Sequence, residues 1–221
     1  AQTNGTYYKA LAMSFTDPWL GGRKPNSFTL SVHLSEQNNA YYFWQTSTQH
    51  FRTTGVAAGL GKRLRWPDPN YFTFYAEASY ERYALKNWDY FVMKNGAANT
   101  LALKFVLSRS TVSQPIYPRS GSEFTVSVQL TPPYSLWDGK DYADANLPDE
   151  ERYHWIEYHK WQLKSKWFFP LTNNQNLVLM AAAEMGYLGH YNKNKVSPFE
   201  RFEVGGNGMS GYNMYGIDII A

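Results

Sequence analysis

In the stretch Phe28-Thr-Leu-Ser-Val-His-Leu34, every second side chain is large and apolar, and those between are polar or small. The stretch Phe124-Thr-Val-Ser-Val-Gln-Leu130 repeats the pattern. Because successive side chains of a β-strand point to opposite faces, each stretch predicts a strand with one apolar and one polar face. A helix would spread the same apolar residues around its circumference. The sequence therefore indicates an all-β protein.

Weaker forms of this alternation predict eight strands in all. Their expected bounds are Thr6–Thr16, Ser27–Gln37, Thr53–Arg65, Tyr71–Leu85, Thr100–Val112, Glu123–Thr131, His159–Phe169 and Asn176–Leu188. Several are longer than the typical globular strand of about 5 or 6 residues. They match the about 9 to 11 residues that a tilted strand needs to cross a bilayer, so strand length favours a membrane protein.

The connections between the predicted strands alternate between compact and long. Compact, turn-forming connections rich in Pro, Gly, Asn and Asp include residues 17–26, 67–70, 118–121 and 172–176. Long connections with polar and aromatic residues occupy 38–52, 86–99 and 132–158. In outer-membrane barrels, tight turns face the periplasm and long loops face outside. The alternation therefore predicts an antiparallel, up-and-down transmembrane β-barrel.

Aromatic side chains cluster near the predicted strand ends, where amphipathic rings would lie at the lipid headgroups. The expected girdles are Trp19, Trp66, Trp167 and Phe169 at the tight-turn rim, and Tyr41, Tyr42, Phe43, Trp44, Tyr80, Tyr83 and Trp88 toward the long-loop rim. The polar faces carry charges suited to a water-filled lumen, namely Glu77, Glu81, Lys164 and Lys166. A soluble β-sandwich, whose strands also alternate, is the competing interpretation.

Composition narrows the possible functions of the 221-residue chain. Apolar residues make up 43% and charged residues 18%, which excludes a disordered chain. The longest apolar run, Leu177–Ala183, is far too short for a transmembrane helix. The net charge of +3 gives no argument for a nucleic-acid partner, and the absence of cysteine removes disulfides and thiolate metal ligands.

The last predicted strand is followed by Gly189–Ala221, which closes no sheet. An open sheet edge in hydrocarbon would leave unpaired backbone groups that cost several kcal/mol each. The chain also begins Ala-Gln-Thr without an initiator Met. We therefore expect a processed product or a fragment of a larger barrel.

Motifs that carry chemistry are weak in this sequence. The glycines of Gly206-Asn-Gly-Met-Ser-Gly211 match a dinucleotide-binding pattern, but too few residues follow for the helix and acidic residue that the pattern requires. His154, Glu157 and His159 contain possible zinc ligands without a recognised spacing. No G-x-S-x-G elbow occurs. We expect no catalytic residue, no metal site and no cofactor.

The basic run Lys62-Arg-Leu-Arg65 predicts a solvated strand end, or alternatively contact with anionic headgroups or a periplasmic partner.

Two motifs resemble those of outer-membrane assembly proteins typified by BamA. Ser14-Phe-Thr-Asp-Pro-Trp-Leu20, which contains Asp17, Pro18 and Trp19, is similar to a signature turn of that barrel. Ser197-Pro-Phe-Glu-Arg-Phe-Glu-Val-Gly-Gly206 resembles the stretch that opens the family's large sixth extracellular loop. The long 207–221 segment before any arginine motif looks like a Bacteroidetes-type member.

The resemblance implies a role in folding and inserting barrel proteins into the outer membrane of a Gram-negative bacterium, without enzymatic chemistry. Residues 1–221 would be eight consecutive strands, roughly the fourth to the eleventh, of a barrel of about 16. Residues 189–221 would start the sixth loop, which Glu200, Arg201 and Phe202 anchor and whose entry Gly205 and Gly206 permit. The periplasmic POTRA domains, the arginine tip of that loop and the lateral gate would lie outside the chain.

The implied partners are outer-membrane lipids, unfolded client proteins, accessory lipoproteins and the rest of the protein's own barrel and POTRA domains, with no nucleic acid. A related barrel that translocates or assembles proteins or lipids is an alternative. Further alternatives are an outer-membrane enzyme barrel, with His154 and Glu157 as the candidate region, and a soluble carbohydrate-binding sandwich.

Overall fold

The computed structural model describes residues 2–4, 7–22, 26–40, 46–67, 71–89, 93–140, 142, 144, 146–191, 200 and 202. They form one antiparallel sheet of nine strands. The strands are β1 (Gln2–Asn4), β2 (Tyr8–Asp17), β3 (Asn26–Asn38), β4 (His50–Arg63), β5 (Phe72–Lys86), β6 (Gly96–Ser110), β7 (Gly121–Leu130), β8 (His159–Pro170) and β9 (Val178–Gly189).

Each strand pairs with its neighbour along the chain, in the order β1 to β9, as an up-and-down sheet requires. All eight predicted strands are present as β2 to β9, so the predicted fold is confirmed. The three-residue strand β1 was not predicted, because it is too short to show an alternation. In the described part of the chain β1 does not pair with β9, so the sheet is open there.

Short and long connections alternate, but less strictly than the sequence predicts. One rim carries connections 18–25, 64–71, 111–120 and 171–177, and the other carries 39–49, 87–95 and 131–158. Connection 111–120 is a hairpin that continues past its strands, because the Thr111 amide donates to the Ser122 carbonyl at 2.9 Å and the Ser113 amide to the Ser120 carbonyl at 3.0 Å. We keep the names tight-turn rim and long-loop rim for the two ends of the sheet.

One face of the sheet is a continuous apolar surface that nothing covers among the described residues. Pairing of neighbouring strands places side chains such as Met13, Val32 and Val56 next to one another on this face. Met13 is 66% exposed, Phe15 61% and Leu60 54%. Leaving such side chains in water forgoes about 1.5–3 kcal/mol each, whereas lipid tails would cover them. A sandwich would bury this face against a second sheet, so the single sheet overturns the sandwich interpretation.

The buried hydrophobic residues lie on the opposite, polar face, at the long-loop rim. The cluster consists of Leu85, Trp88, Met93, Ala98, Ile156 and Tyr158, with Phe51, Tyr83, Tyr153 and Leu188 packed against it. The prediction that Tyr83 and Trp88 belong to a lipid-facing girdle is therefore wrong. Tyr83 pairs with Thr53 in the register row of the polar face, and Trp88 is covered by the connections above the sheet. Residues 41–44 of that girdle lie outside the described residues.

The longest connection contains two short helices, α1 (Tyr134–Asp138) and α2 (Asp149–Arg152). Helix α2 follows Pro148 and begins with three acidic residues, which suit the positive end of the helix dipole. After α2 the chain covers the part of β6 that extends beyond β7, where the Asn99 amide donates to the His154 carbonyl and the Ile156 amide to the Asn99 carbonyl, both at 2.9 Å. A strand edge that would otherwise be open is thereby paired.

Among the described residues, no helix has the length and apolar character needed to cross a membrane.

Candidate functional site

The polar face holds a patch of interacting side chains near the long-loop rim. Tyr83 donates a hydrogen bond to Glu81, and His33 Nε2 lies 3.8 Å from Glu81 Oε1. The His33 ring lies directly over Gly55, where a Cβ atom would be 2.1 Å from the ring. Glycine at that position therefore lets the histidine cross the face of β4 and reach β5.

Tyr158 is the most enclosed member of this patch, with 1% of the residue exposed. Its backbone is clamped by Thr131, which accepts from the Tyr158 amide at 2.8 Å and donates its hydroxyl to the Tyr158 carbonyl at 3.0 Å. Its hydroxyl accepts a hydrogen bond from Gln129 Nε2 at 2.6 Å and is hydrogen bonded to the carboxylate of Glu200. A buried tyrosine hydroxyl with such partners is held in one position.

Glu200 belongs to the segment after β9 and lies against the polar face. Its Oε2 is 3.6 Å from Lys160 Nζ, and its side chain is 17% exposed. Lys160 is on β8 and shares the polar face with Gln129. The Tyr158 hydroxyl adds a further hydrogen bond to this enclosed carboxylate. These contacts place Glu200, which follows the last strand in the chain, over the polar face of the sheet.

Phe202 makes the second contact of this segment. The Lys160 Nζ lies 4.8 Å from the centre of the Phe202 ring, within the range of a cation–π interaction. The ring rests on Gly186 of β9, where a Cβ would be 2.8 Å from Phe202 Cζ. We call Glu81, Tyr83, Gln129, Tyr158, Lys160 and Gly186 the loop-docking site, and Glu200 and Phe202 the docked residues.

Burial raises the pKa of the Glu200 carboxyl above its ordinary value. The ammonium group of Lys160 partly offsets this rise, whereas the neighbouring Glu81 carboxylate adds to it. The pKa direction shows that enclosure outweighs the ion pair, as is usual when a carboxyl leaves water.

Docking of residues 200 and 202 is expected to weaken as the pH rises. Because the pKa of Glu200 is raised in the docked state, that state holds the proton more tightly than the undocked one. Docking is therefore strongest below the ordinary carboxyl pKa and is lost progressively as the pH rises through the raised pKa. The measurement is the rate of trypsin cleavage after Arg201, divided by the rate after the exposed Lys140 in the same sample. Glu200→Gln should remove the pH dependence of this ratio; a ratio that changes equally in this variant contradicts the prediction.

The signature turn lies at the other rim, far from the loop-docking site. The Trp19 amide donates to Asp17 Oδ1 at 2.9 Å, and the Gly22 amide donates to the Trp19 carbonyl at 2.8 Å. Gly21 and Gly22 have φ of 67° and 71°, which glycine adopts without strain. Pro18 supplies the fixed φ of a turn. Asp17, Pro18 and Trp19 therefore form the turn at the end of β2.

Asp17→Ala is expected to destabilise the folded protein by about 0.5–1.5 kcal/mol, because the Trp19 amide loses its acceptor. Asp17→Asn, which keeps a side-chain oxygen, should retain most of the stability. Denaturant unfolding measures the difference. Since the turn and the loop-docking site occupy opposite rims, cleavage after Arg201 should be unchanged; faster cleavage in Asp17→Ala would contradict the separation of the two motifs.

The structure describes two of the residues that the sequence predicts as anchors of the loop, and it shows the side chains that they contact. Glu200 and Phe202 are brought together on Lys160, while Arg201, Gly205 and Gly206 lie outside the described residues. Sequence reasoning missed Lys160 and Tyr158 as their partners. One signal was available, since a glycine inside a strand, as at position 186, often marks the close approach of another group.

The three possible zinc ligands, His154, Glu157 and His159, contact other side chains and backbone groups. Glu157 accepts hydrogen bonds from the amide and hydroxyl of Ser135, His154 packs against Trp155, and His159 accepts from Trp161 Nε1 at 3.1 Å. The described residues contain no group of three or more His, Asp or Glu side chains placed to hold a metal ion.

Comparison with known proteins places these features in a family. The model of the Omp85 superfamily domain matches residues 1–218. Among solved structures, the chain is similar to BamA from Haemophilus ducreyi lacking POTRA domains 1–3, with a TM-score of 0.64 and 15% sequence identity. The match covers 94% of this chain but only 38% of that one. No curated protein sequence matches the chain.

The structural likeness supports an open part of a BamA-like barrel, and the family match extends over almost the whole sequence. This chain belongs to the Omp85 superfamily.

Proposed function

We propose that this chain is a wall segment of an outer-membrane barrel that folds other barrel proteins and inserts them into the membrane. The observation that carries the proposal is the seating of a loop segment, through Glu200 and Phe202, on the polar face of a sheet whose other face is apolar and uncovered. A barrel with its apolar face toward lipid and a loop fixed against its inner wall can support a moving gate elsewhere in its circumference.

The complete protein, on this proposal, has further strands that close the barrel and POTRA domains in the periplasm. The open order of β1 to β9 and the small share of the solved BamA chain that is covered support this view. Residues 189–221 then open the large sixth extracellular loop. The Bacteroidetes-type assignment of residues 207–221 stays a prediction.

The loop motif has a positioning role in this scheme. Lys160 contacts both residues, because it forms an ion pair with Glu200 and lies over the ring of Phe202. Arg201, between them in the sequence, is proposed to strengthen the anchor. Gly205 and Gly206, which follow, are proposed to permit the tight entry of the remaining loop. Fixing the base of a long loop lowers the entropy that its tip must lose to reach into the barrel.

The proposed mechanism needs neither covalent chemistry nor ATP nor a cofactor. An edge strand of the complete barrel would offer its backbone N–H and C=O groups to a client strand, a form of β-augmentation. A locally thinned bilayer would lower the barrier to insertion. The partners would be outer-membrane lipids, unfolded client barrels and accessory lipoproteins, and β2 to β9 would form the stable wall opposite the gate.

The test is reconstitution of the complete protein in phospholipid vesicles, followed by addition of a urea-denatured client barrel. Wild-type protein should raise the initial rate of appearance of folded, protease-resistant client by about tenfold over empty vesicles, a difference equal to about 1.4 kcal/mol in the barrier. Lys160→Ala should lose most of this acceleration while the protein itself remains folded.

The control is Lys166→Ala, which removes a cation from the same face of the same strand, six residues from Lys160 toward the tight-turn rim. No acceleration by the wild type would overturn the insertase proposal. Client recovered inside the vesicles, rather than folded in their membrane, would favour the translocation barrel instead.

A further inference from the structure

The apolar face carries a second feature, at the tight-turn rim, that loop docking does not involve. Lys62 of β4 pairs with Phe74 of β5, and Arg109 of β6 pairs with Phe72 of β5. Side chains opposite one another in an antiparallel pair share a face. Both rows belong to the apolar face, because Leu60 and Leu107 lie on the same face, two residues further from the rim along β4 and β6.

Aromatic rings fill the space between these two cations. Phe74 and Phe105 stack with ring centres 6.3 Å apart, and the Arg109 guanidinium lies 6.0 Å from the centre of the Phe72 ring. Trp66, just beyond β4, is 82% exposed. We call Lys62, Phe72, Phe74, Phe105 and Arg109 the outer-wall patch. It combines an apolar floor with two cations on its rim side.

The charges of the outer-wall patch have no acidic partner among the described residues. Arg109 donates to the Ser122 hydroxyl at 3.1 Å, and neither cation takes part in any ion pair of the described chain. At the long-loop rim, by contrast, the outward Arg52 lies 3.1 Å from Glu36. Cations outnumber acids among the described residues of the tight-turn rim, where Lys62, Arg63, Arg65, Arg109, Arg119 and Lys166 stand against Asp17 and Glu123.

We propose that the outer-wall patch binds an anionic phospholipid of the leaflet at the tight-turn rim, with the headgroup phosphate between Lys62 and Arg109 and the acyl chains on Phe74 and Phe105. The two cations are separated by two inter-strand spacings and by two residues along the strand, about 12 Å between Cα atoms, so their long side chains can converge on one phosphate. Cations beside aromatic rings at the level where the apolar face ends match the chemistry of an anionic headgroup above its acyl chains.

A phospholipid fits this patch better than an acidic protein does. Lys62 and Arg109 project from the lipid-facing side of the wall rather than from the tips of the turns, and the rings beside them continue the apolar face. Tight turns of outer-membrane barrels face the periplasm, so the leaflet concerned is the one made of phospholipid. The site lies apart from the loop-docking site and does not depend on the proposed insertase activity.

The test uses the complete protein in mild detergent, titrated with phosphatidylglycerol or phosphatidylcholine and analysed by native mass spectrometry. The double variant Lys62→Gln/Arg109→Gln should bind phosphatidylglycerol about ten- to thirtyfold more weakly than wild type, since each headgroup-level cation contributes about three- to fivefold. Phosphatidylcholine binding should change little. Lys62→Arg/Arg109→Lys, which keeps both charges, should retain the preference for phosphatidylglycerol.

The matched control is Lys104→Gln/Lys166→Gln, which removes the same charge from the polar face. Unchanged phosphatidylglycerol binding in the outer-wall variant overturns the proposal, even if that variant loses an acidic protein partner. An equal loss in the control also overturns it, because net charge alone would then explain the affinity. Each variant is first shown to be folded, by its resistance to unfolding by detergent in samples that have not been heated.

Discussion

Val32→Arg is expected to destabilise the membrane-embedded protein by about 2–4 kcal/mol, the range for an arginine on the lipid face near the middle of a bilayer. Val32 lies in the middle of β3, between Met13 and Val56 in the register row of the apolar face. The arginine would have to reach the headgroups or draw water into the hydrocarbon. Equilibrium unfolding by guanidinium in lipid vesicles measures the loss.

Ser31→Arg is the control for this substitution. Ser31 is the preceding residue on the same strand, and it faces the polar side beside Ala57. There an arginine can remain solvated, so we expect a change of about 0.5 kcal/mol or less. Equal losses for the two variants would show that the faces do not differ in environment, and would contradict the assignment of the apolar face to lipid.

Gly186→Val should release the segment that carries Glu200 and Phe202 from the loop-docking site. A Cβ at this position would lie 2.8 Å from Phe202 Cζ, and the two further methyl groups leave the ring no room on β9. Overpacking of this kind costs about 1–3 kcal/mol, which corresponds to an increase of about 5- to 150-fold in the undocked population. Trypsin cleavage after Arg201, relative to cleavage after Lys140, should rise accordingly.

Two variants make this experiment specific. Ala182→Val adds bulk to the same face of β9 away from Phe202 and should leave cleavage unchanged. In a Phe202→Ala background, Gly186→Val should have little further effect, because the contact that it disrupts is already absent. Additive effects of the two substitutions would mean that Gly186 acts through the strand itself and not through Phe202.

The fold could be predicted from the sequence because its physical cause is local. In β3 and β7, the alternation that places Leu30 and Val126 on one face also places Ser31 and Ser127 on the other. Strand ends were less accurate. β4 begins at His50 rather than Thr53, and β6 at Gly96 rather than Thr100, because near the long-loop rim the apolar residues belong to the loop-covered cluster and the alternation fades.

The loop-docking site could be predicted only in part, because its two halves are far apart in the chain. The motif around residue 200 indicated an anchor, but nothing local indicates that Lys160 and Tyr158 receive it. That pairing arises from the register that places β8 beside β9 and brings Gly186 under the ring of Phe202. The interior position of Tyr83 was missed for a similar reason, since an aromatic residue near a strand end suits either a girdle or a covered cluster.

The most direct test of the central claim is the accessibility of single spin labels along β3 of the complete protein in lipid bilayers. This chain contains no cysteine, so a cysteine placed at each of positions 30–35 carries the only label within it. The structure requires collisions with lipid-soluble oxygen to dominate at positions 30, 32 and 34, and collisions with a water-soluble nickel chelate to dominate at positions 31, 33 and 35. Labels that are inaccessible to both reagents at positions 30, 32 and 34 would show that this face packs against protein, and would contradict a lipid-facing wall.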